Sequence, residues 1–309
     1  MDCQPLVSIL IASYNHEKFI GEAIDSCLNQ TYSPIEVVVV DDGSTDKSRE
    51  IIASYGKKII PIYKENEGGI STRNVGFPVC KGEYICLLDS DDYFYTEKVA
   101  ELVKVVSSHI EIGWYFHRIK AMDNETGELI RTTPGKLTGY CDIRKDIRRG
   151  MMPIYGPATS GLSFSREVFQ QMLPFPVKTK YGVSDKYLRA VAASLSPGYF
   201  EDKPLGILRV HSDNMYTTFS VESLLPRLAR LFIRNAYWLQ KKWPEIIRYS
   251  NRVFGHGIGV FRRIGGIDKE YQKLVNEYLT TSSYQDQLEI LVYSIYYQYI
   301  WNPQKSVKT

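Results

Sequence analysis

No uninterrupted apolar stretch reaches the roughly 18 residues that a membrane-spanning helix needs, so nothing in this chain is expected to cross a bilayer. No basic segment leads into an apolar core at the N-terminus, so no secretory signal is expected and a cytoplasmic location follows. Cysteine is sparse. Cys3, Cys27, Cys80, Cys86 and Cys141 are odd in number and fall at no zinc-ligand spacing. Cys27 and Cys86 lie inside apolar runs, where free thiols are commonly buried, and a reducing compartment fits. Internal repeats and low-complexity tracts are absent. Charge of one sign is also lacking: the net +3 is too small to call for nucleic acid as a partner.

What remains is an ordinary globular composition, with 44% apolar and 24% charged residues over 309 positions. That length holds one large domain, or a domain of about 200 residues with an appendage. The first third alternates regularly. Short apolar runs predict strands at 6–12, 35–40, 59–63 and 84–88, those at 6–12, 35–40 and 84–88 buried. Segments at 17–30, 46–54, 70–79 and 96–106 carry helical spacing, with Asn15 expected to cap the first and Ser44 or Thr45 the second. Four alternations of strand and helix predict an α/β fold: a mostly parallel sheet flanked by helices. Such sheets bind ligands at the carboxyl ends of their strands. The polar clusters obey that rule. Ser13-Tyr14-Asn15 follows the first strand, Asp41-Asp42 the second and Asp89-Ser90-Asp91-Asp92 the fourth. Further on, a strand is expected at 112–117, helices at 165–172 and 185–193, and long helical patterns from about Val221, with a boundary near Phe219.

The acidic clusters suggest a chemistry. A diphosphate leaving group departs with excess negative charge, and a divalent cation held by carboxylates absorbs it. Hard cations such as magnesium or manganese take oxygen ligands, often from one or two carboxylates plus substrate phosphates. Carboxylates as close as Asp89, Asp91 and Asp92 repel one another unless a cation or donor neutralises them. A solvated loop capping the next helix is the plainer alternative. Asp41 or Asp42 can accept from a nucleobase imide or a ribose hydroxyl, or serve only in a turn.

The segments VSILIASYN at 7–15, EVVVVDDGSTDKS at 36–48, NEGGISTRNVG at 66–76 and GEYICLLDSDD at 82–92 resemble family 2 glycosyltransferases in order and spacing. SGLSFSREVF at 160–169 and LRVHSDN at 208–214 extend the likeness, which covers about residues 5 to 218. The resemblance implies a GT-A fold and a single displacement with inversion at the anomeric carbon. It implies domains at 1–219 (nucleotide-binding half 1–110, acceptor half 111–219) and a helical extension at 220–309. It places Asp41 and Asp42 on the base and ribose, with Tyr14 against the nucleobase and Ser13 and Asn15 beside it. It makes Asp91 the chief metal ligand, with Asp89, Ser90 and Asp92 on donor or metal and Arg73 facing the phosphates. His211 would be a further metal ligand or a phosphate donor, and His16, Asn66 and Glu67 flank the site. The general base is expected at Asp185, although Ser184 stands where relatives carry Glu; a helix-capping aspartate is the alternative. His109, His117 and His256 are read as structural.

Toward the C-terminus, Leu224, Leu228, Phe232 and Leu239 form an apolar stripe beside Arg227, Arg230, Arg234, Lys241 and Lys242. Packing within the protein, a second copy, or an anionic membrane surface would each use it. The aromatic segment 287–301 suggests an interface. The expected function is transfer of a sugar from a nucleotide-diphosphate donor, a UDP-hexose or UDP-N-acetylhexosamine, to a glycan or lipid-linked acceptor. Manganese or magnesium would assist. A catalytically silent nucleotide-sugar-binding relative is the alternative. A receiver-like module built on Asp41-Asp42 leaves Asp91 unused, and a nucleotidyltransferase needs a glycine-rich basic segment where Ser13-Tyr14-Asn15-His16 stands.

Overall fold

The computed structural model describes residues 4–132, 138–152, 156–177, 183–212, 214 and 221–301. Strands β1 (Val7–Ser13), β2 (Ile35–Asp42), β3 (Ile60–Lys64) and β4 (Tyr84–Asp89) alternate with helices α1 (Ile20–Leu28), α2 (Ser48–Ser54), α3 (Ser71–Gly76) and, after the short β5 (Tyr93–Phe94), α4 (Lys98–Ser108). There follow β6 (Trp114–Asp123), β7 (Leu129–Thr132), β8 (Gly139–Cys141), α5 (Arg144–Arg148), β9 (Leu162–Ser165), α6 (Arg166–Met172), α7 (Asp185–Leu195) and β10 (Gly198–Val210). The chain closes with α8 (Val221–Lys242), α9 (Ile247–Arg263), α10 (Lys269–Thr280) and α11 (Tyr284–Ile295), which runs into a π-turn at Tyr296–Ile300.

Two compact units result. The first holds the described residues of 1–142, 154–180 and 195–211; the second holds those of 143–153, 181–194 and 212–309. The boundary expected at Phe219 lies outside the described residues.

In the first unit the strands run β3-β2-β1-β4-β9-β6-β10-β5. The first four are parallel, as the alternation predicts. Beyond β4 the sheet is mixed: β9 is antiparallel to both β4 and β6, while β10 runs parallel to β6 and antiparallel to β5 and β8. Val7, Ile9, Leu10 and Ile11 are all buried, because helices cover both faces and neither alternates with solvent. Each such side chain contributes on the order of 1.5–3 kcal/mol on leaving water. On α1 the buried Ile20, Ala23, Ile24 and Cys27 recur at helical spacing and close over β1 and β2. Helix α3 sits against the sheet at Gly76, where a Cβ would come within 2.4 Å of Leu10 Cδ1 and 2.9 Å of Val40 Cγ2.

In the second unit the α8 stripe is largely covered: Leu224, Phe232 and Leu239, with the neighbouring Leu225, are buried, Leu228 is half-buried, and α8 packs on α9. Its cations are used internally. Arg230 pairs with Asp268, and Lys241 with Glu277 at 3.0 Å. Much of the stripe is therefore taken up by packing within the second unit. The last segment differs, since Leu288, Leu291, Val292, Ile295, Tyr299 and Ile300 remain exposed on α11 and its π-turn. Among the described residues no helix is long and apolar enough to cross a membrane.

Candidate functional site

The loops after β1, β2 and β4 meet at one end of the parallel strands, all within the first unit. Asn15 does not cap α1, whose N-cap is Phe19 with no side-chain bond. It instead holds φ at 52°, a left-handed conformation that Asn tolerates better than most residues. In that turn its N–H donates to Ser44 Oγ at 2.9 Å and its Oδ1 accepts from Thr45 N at 2.8 Å. The turn thereby locks the β1 loop to the β2 loop. Ser44 and Thr45 are spent on this contact and do not cap α2, whose first turn is held by Asp46.

Both carboxylates that end β2 are buried. Asp41, opposite Ser13 in the sheet, accepts from Arg49 Nε and from Ser44 N. Asp42 accepts from Lys64 Nζ at 2.6 Å and from the backbone N–H of Glu67 at 3.1 Å and Gly68 at 2.8 Å. It thus shapes the segment that leads into α3. Gly43 holds φ at 83°, and a Cβ there would stand 2.6 Å from Asn66 N, so glycine lets the two loops touch. A cavity of about 440 Å³ opens beside them, lined by Gly43, Arg49, Tyr63, Lys64, Glu65 and Asn66. Tyr14 is 45% exposed at the end of β1.

Arg73 is buried on α3, with Nη1 donating to Gly69 O at 3.3 Å and Nη2 standing 3.7 Å from Asp89 Oδ1. The acidic run from Asp89 to Asp92 is pulled apart by the fold. Asp89 is half-exposed and faces Arg73. Ser90 is buried, with Oγ 2.8 Å from His16 Nδ1. Asp91 Oδ2 lies 3.2 Å from His211 Nε2. Asp92 is buried, accepting from Ser160 Oγ and, at 3.1 Å, from Arg209 N. It ties β10 and the 159–161 turn to the loop.

The electrostatics follow. Burial, then the charges of Asp91 and Asp89, push the Asp92 carboxyl well above the usual range. Burial acts upward on Asp91 too, but the hydrogen bond from His211 and the nearby His16 outweigh it and hold that carboxyl below its ordinary value. Asp91 is thus the carboxylate of the run poised to stay ionised beside two imidazoles.

His16, Asp91 and His211 each offer a ligand atom, and these atoms lie within 4.8 Å of one another. Phe19 packs on His211, with ring centroids 4.7 Å apart. Two imidazoles and a carboxylate fit a first-row divalent cation better than magnesium, which prefers oxygen throughout. Three ligands leave room for phosphate oxygens. Sequence reasoning left His16 as a flanking residue; the turn at Asn15 is what carries it to Asp91. It also missed Ser160, which sits on a 3₁₀ turn far along the chain.

Asp185 belongs to the second unit. It is the first residue of α7, its Oδ1 accepts from Lys186 N at 2.7 Å, and Arg189 Nη1 is 3.8 Å from its Oδ2. Ser184 before it pairs with the buried Asn235 through two hydrogen bonds of 3.2 and 2.8 Å.

Solved structures share the fold. Solved structures of Staphylococcus aureus TarS with UDP-GlcNAc match at a TM-score of 0.65 and 18% identity, covering 94% of this chain and 88% of that one. The mannosyltransferase PcManGT of Pyrobaculum calidifontis, solved with GDP-Man and Mn2+, matches at 0.53 and 15%, covering 97% and 89%. At such identities the likeness establishes the fold, that of GT-A enzymes. An uncharacterised glycosyltransferase of Rickettsia typhi is 32% identical over 272 residues, 87% of this chain and 83% of that protein. One from Nostoc sp. is 35% identical over 179 residues, and the match spans only 55% of that relative's length. The family model described as glycosyl transferase family 2 matches residues 8–172. The chain belongs to that family and is a glycosyltransferase.

Proposed function

We propose that the protein moves a hexose or N-acetylhexosamine from a UDP donor to a hydroxyl of a glycan or lipid-linked acceptor, with inversion and with manganese in preference to magnesium. The observation that carries this reading is the convergence of His16, Asp91 and His211 beside Arg73 and Asp89. The binding of UDP-GlcNAc by TarS, and of GDP-Man with Mn2+ by PcManGT, supports it.

In this reading the nucleoside occupies the cavity beside Gly43, Tyr63 and Asn66. Asp41 and Asp42 hold its walls through Arg49 and Lys64, and Ser13, Tyr14 and Asn15 contact the donor from the β1 loop. The diphosphate lies toward Arg73, whose guanidinium is fixed by Gly69 O and so offers a pre-oriented cation. When bound, the divalent cation supplies Lewis-acid neutralisation of the leaving diphosphate. Asp89 and Ser90 steady the donor side, and Asp92 acts through the shape of the loop. Asp185, exposed by about a third at the start of α7, takes the acceptor proton as the hydroxyl attacks. The uncovered apolar face of α11 is the surface for a membrane or second-copy contact in a cytoplasmic enzyme.

Asp91→Asn tests the metal assignment. It removes the ligand charge at a strand end, and transfer should fall to background with the circular dichroism and melting temperature unchanged. Wild-type transfer rates in that variant would overturn the assignment.

A further inference from the structure

Helix α7 begins on a side chain supplied from far along the chain. Ser184 O accepts from Tyr187 N at 3.0 Å and from Leu188 N at 3.2 Å, so the helical ladder starts at Ser184 and Asp185 is the first helical residue. At many such starts a Glu or Gln three residues on reaches back to the backbone N–H of the capping residue. Tyr187 stands at that place and has no carboxylate or amide to offer. Asn235 of α8, 51 residues beyond Ser184, takes the role instead. Its Oδ1 accepts from Ser184 N at 3.2 Å, and its Nδ2 donates to Ser184 Oγ at 2.8 Å.

The α8 end of this clamp is firmly seated. Asn235 is 1% exposed, and among the described residues its side chain bonds to Ser184 alone. Around it α8 lies close on α9. Ser250 Oγ donates to Ala236 O at 2.7 Å, and a Cβ at Gly257 would come within 2.8 Å of Ile233 Cδ1 and 3.1 Å of Ala229 O. A second tie follows just past α8, where Trp243 Nε1 donates to the buried Tyr187 OH at 3.0 Å. A buried amide needs its partners, so the pairing specifies one setting of Ser184.

Asp185 inherits that setting. Its Oδ1 accepts from Lys186 N at 2.7 Å and its Oδ2 lies 3.8 Å from Arg189 Nη1, with the side chain about a third exposed. We propose that Asn235 is a positioning residue for Asp185: its two hydrogen bonds to Ser184 fix the start of α7 and so the direction from which the carboxylate meets the acceptor hydroxyl. The inference rests on Asp185 being the base. A general base works only within hydrogen-bond reach of the proton it takes, and a misplacement of about 1 Å costs up to roughly 10²-fold. Slack at Ser184 moves the next residue directly, whereas the residues proposed for the donor lie in the first unit. The clamp also gives a use to the serine that stands where relatives carry Glu. A serine hydroxyl lies close enough to its own N–H for one amide to span both.

The test combines two variants with two readouts on the full-length protein. Asn235→Leu removes both bonds; Ser184→Ala removes only the one to the hydroxyl and guards against a variant that fails to fold. The readouts are hydrogen exchange in peptides covering the start of α7, and steady-state release of UDP from UDP-N-acetylglucosamine and UDP-glucose with manganese, water serving as acceptor. In Asn235→Leu, exchange there should quicken by about tenfold, the effect of one or two hydrogen bonds. Its kcat should fall by roughly 10- to 100-fold with the donor KM unchanged, and Ser184→Ala should fall between it and the wild type. In an Asp185→Asn background, Asn235→Leu should lower kcat no further, because the group being aimed is gone. Losses that multiply in the double variant, or a wild-type kcat in Asn235→Leu despite quickened exchange, would overturn the positioning role. Unchanged exchange would overturn the clamp itself. Full turnover in Asp185→Asn, or no UDP release by the wild type, would remove the base and the positioning role together and leave the exchange result standing.

Discussion

His117 gives the fold a measurable response to acid. It lies on β6 wholly out of water, with Nδ1 2.8 Å from Arg118 O and the rings of Phe94 and Tyr115 at 6.2 and 6.4 Å. Burial, then the charge of Lys98, brings its pKa from 6.5 down to about 3. The folded value is below the unfolded one, so neutral His117 contributes stability that is fully present above 6.5 and is lost as pH falls toward 3. Each unit of that window is worth about 1.4 kcal/mol, so roughly 2 kcal/mol should be gone by about pH 5 and roughly 5 kcal/mol at the bottom. The assay is urea unfolding at about pH 7 and about pH 5, read by hydrogen exchange in peptides covering β6, for the wild type and for His117→Phe. The variant starts from its own baseline, and its pH dependence should be smaller by roughly 2 kcal/mol. Equal pH dependence in the two proteins would refute the argument that His117 is buried neutral.

Gly76→Ala forces a methyl group against Leu10 and Val40 and should cost about 1–3 kcal/mol in thermal unfolding. It should also weaken donor binding by displacing Arg73 on the same helix; an unchanged melting temperature would show that α3 is not seated on the sheet as described. Asp185→Asn should keep donor affinity and lose transfer by roughly 10²–10⁴-fold, the usual worth of a general base. Loss of donor binding instead would give Asp185 another role.

Strands β1, β2 and β4 were legible because each is a short run rich in Val, Ile or Leu ending in polar residues, and a strand buried on both faces needs little else. The 13-residue β10 was not. Its stretch Glu201-Asp202-Lys203-Pro204 interrupts the pattern with charges and a proline, and the pairing with β6 accommodates them through register shifts. Strand β6 likewise runs on to Asp123, past the apolar run that marked it. The α8 stripe reads as a packing face or a membrane face, and the partners it packs on, α9 and α10, lie further along the chain. At the site, Asp89 to Asp92 look alike in one dimension. Tertiary contacts with Ser160, Arg209, Arg73 and His211 are what separate a buried tether from an ionised ligand. His16 could not be singled out because its position depends on the backbone turn at Asn15.

The central claim is a nucleotide-sugar site completed by a divalent cation on His16, Asp91 and His211. Calorimetric titration of UDP and GDP, each with manganese and with chelator, tests it most directly. The account predicts UDP binding with manganese that disappears on chelation, and none in Asp91→Asn. UDP binding of equal affinity in chelator, or no binding of either nucleotide with manganese present, would contradict it.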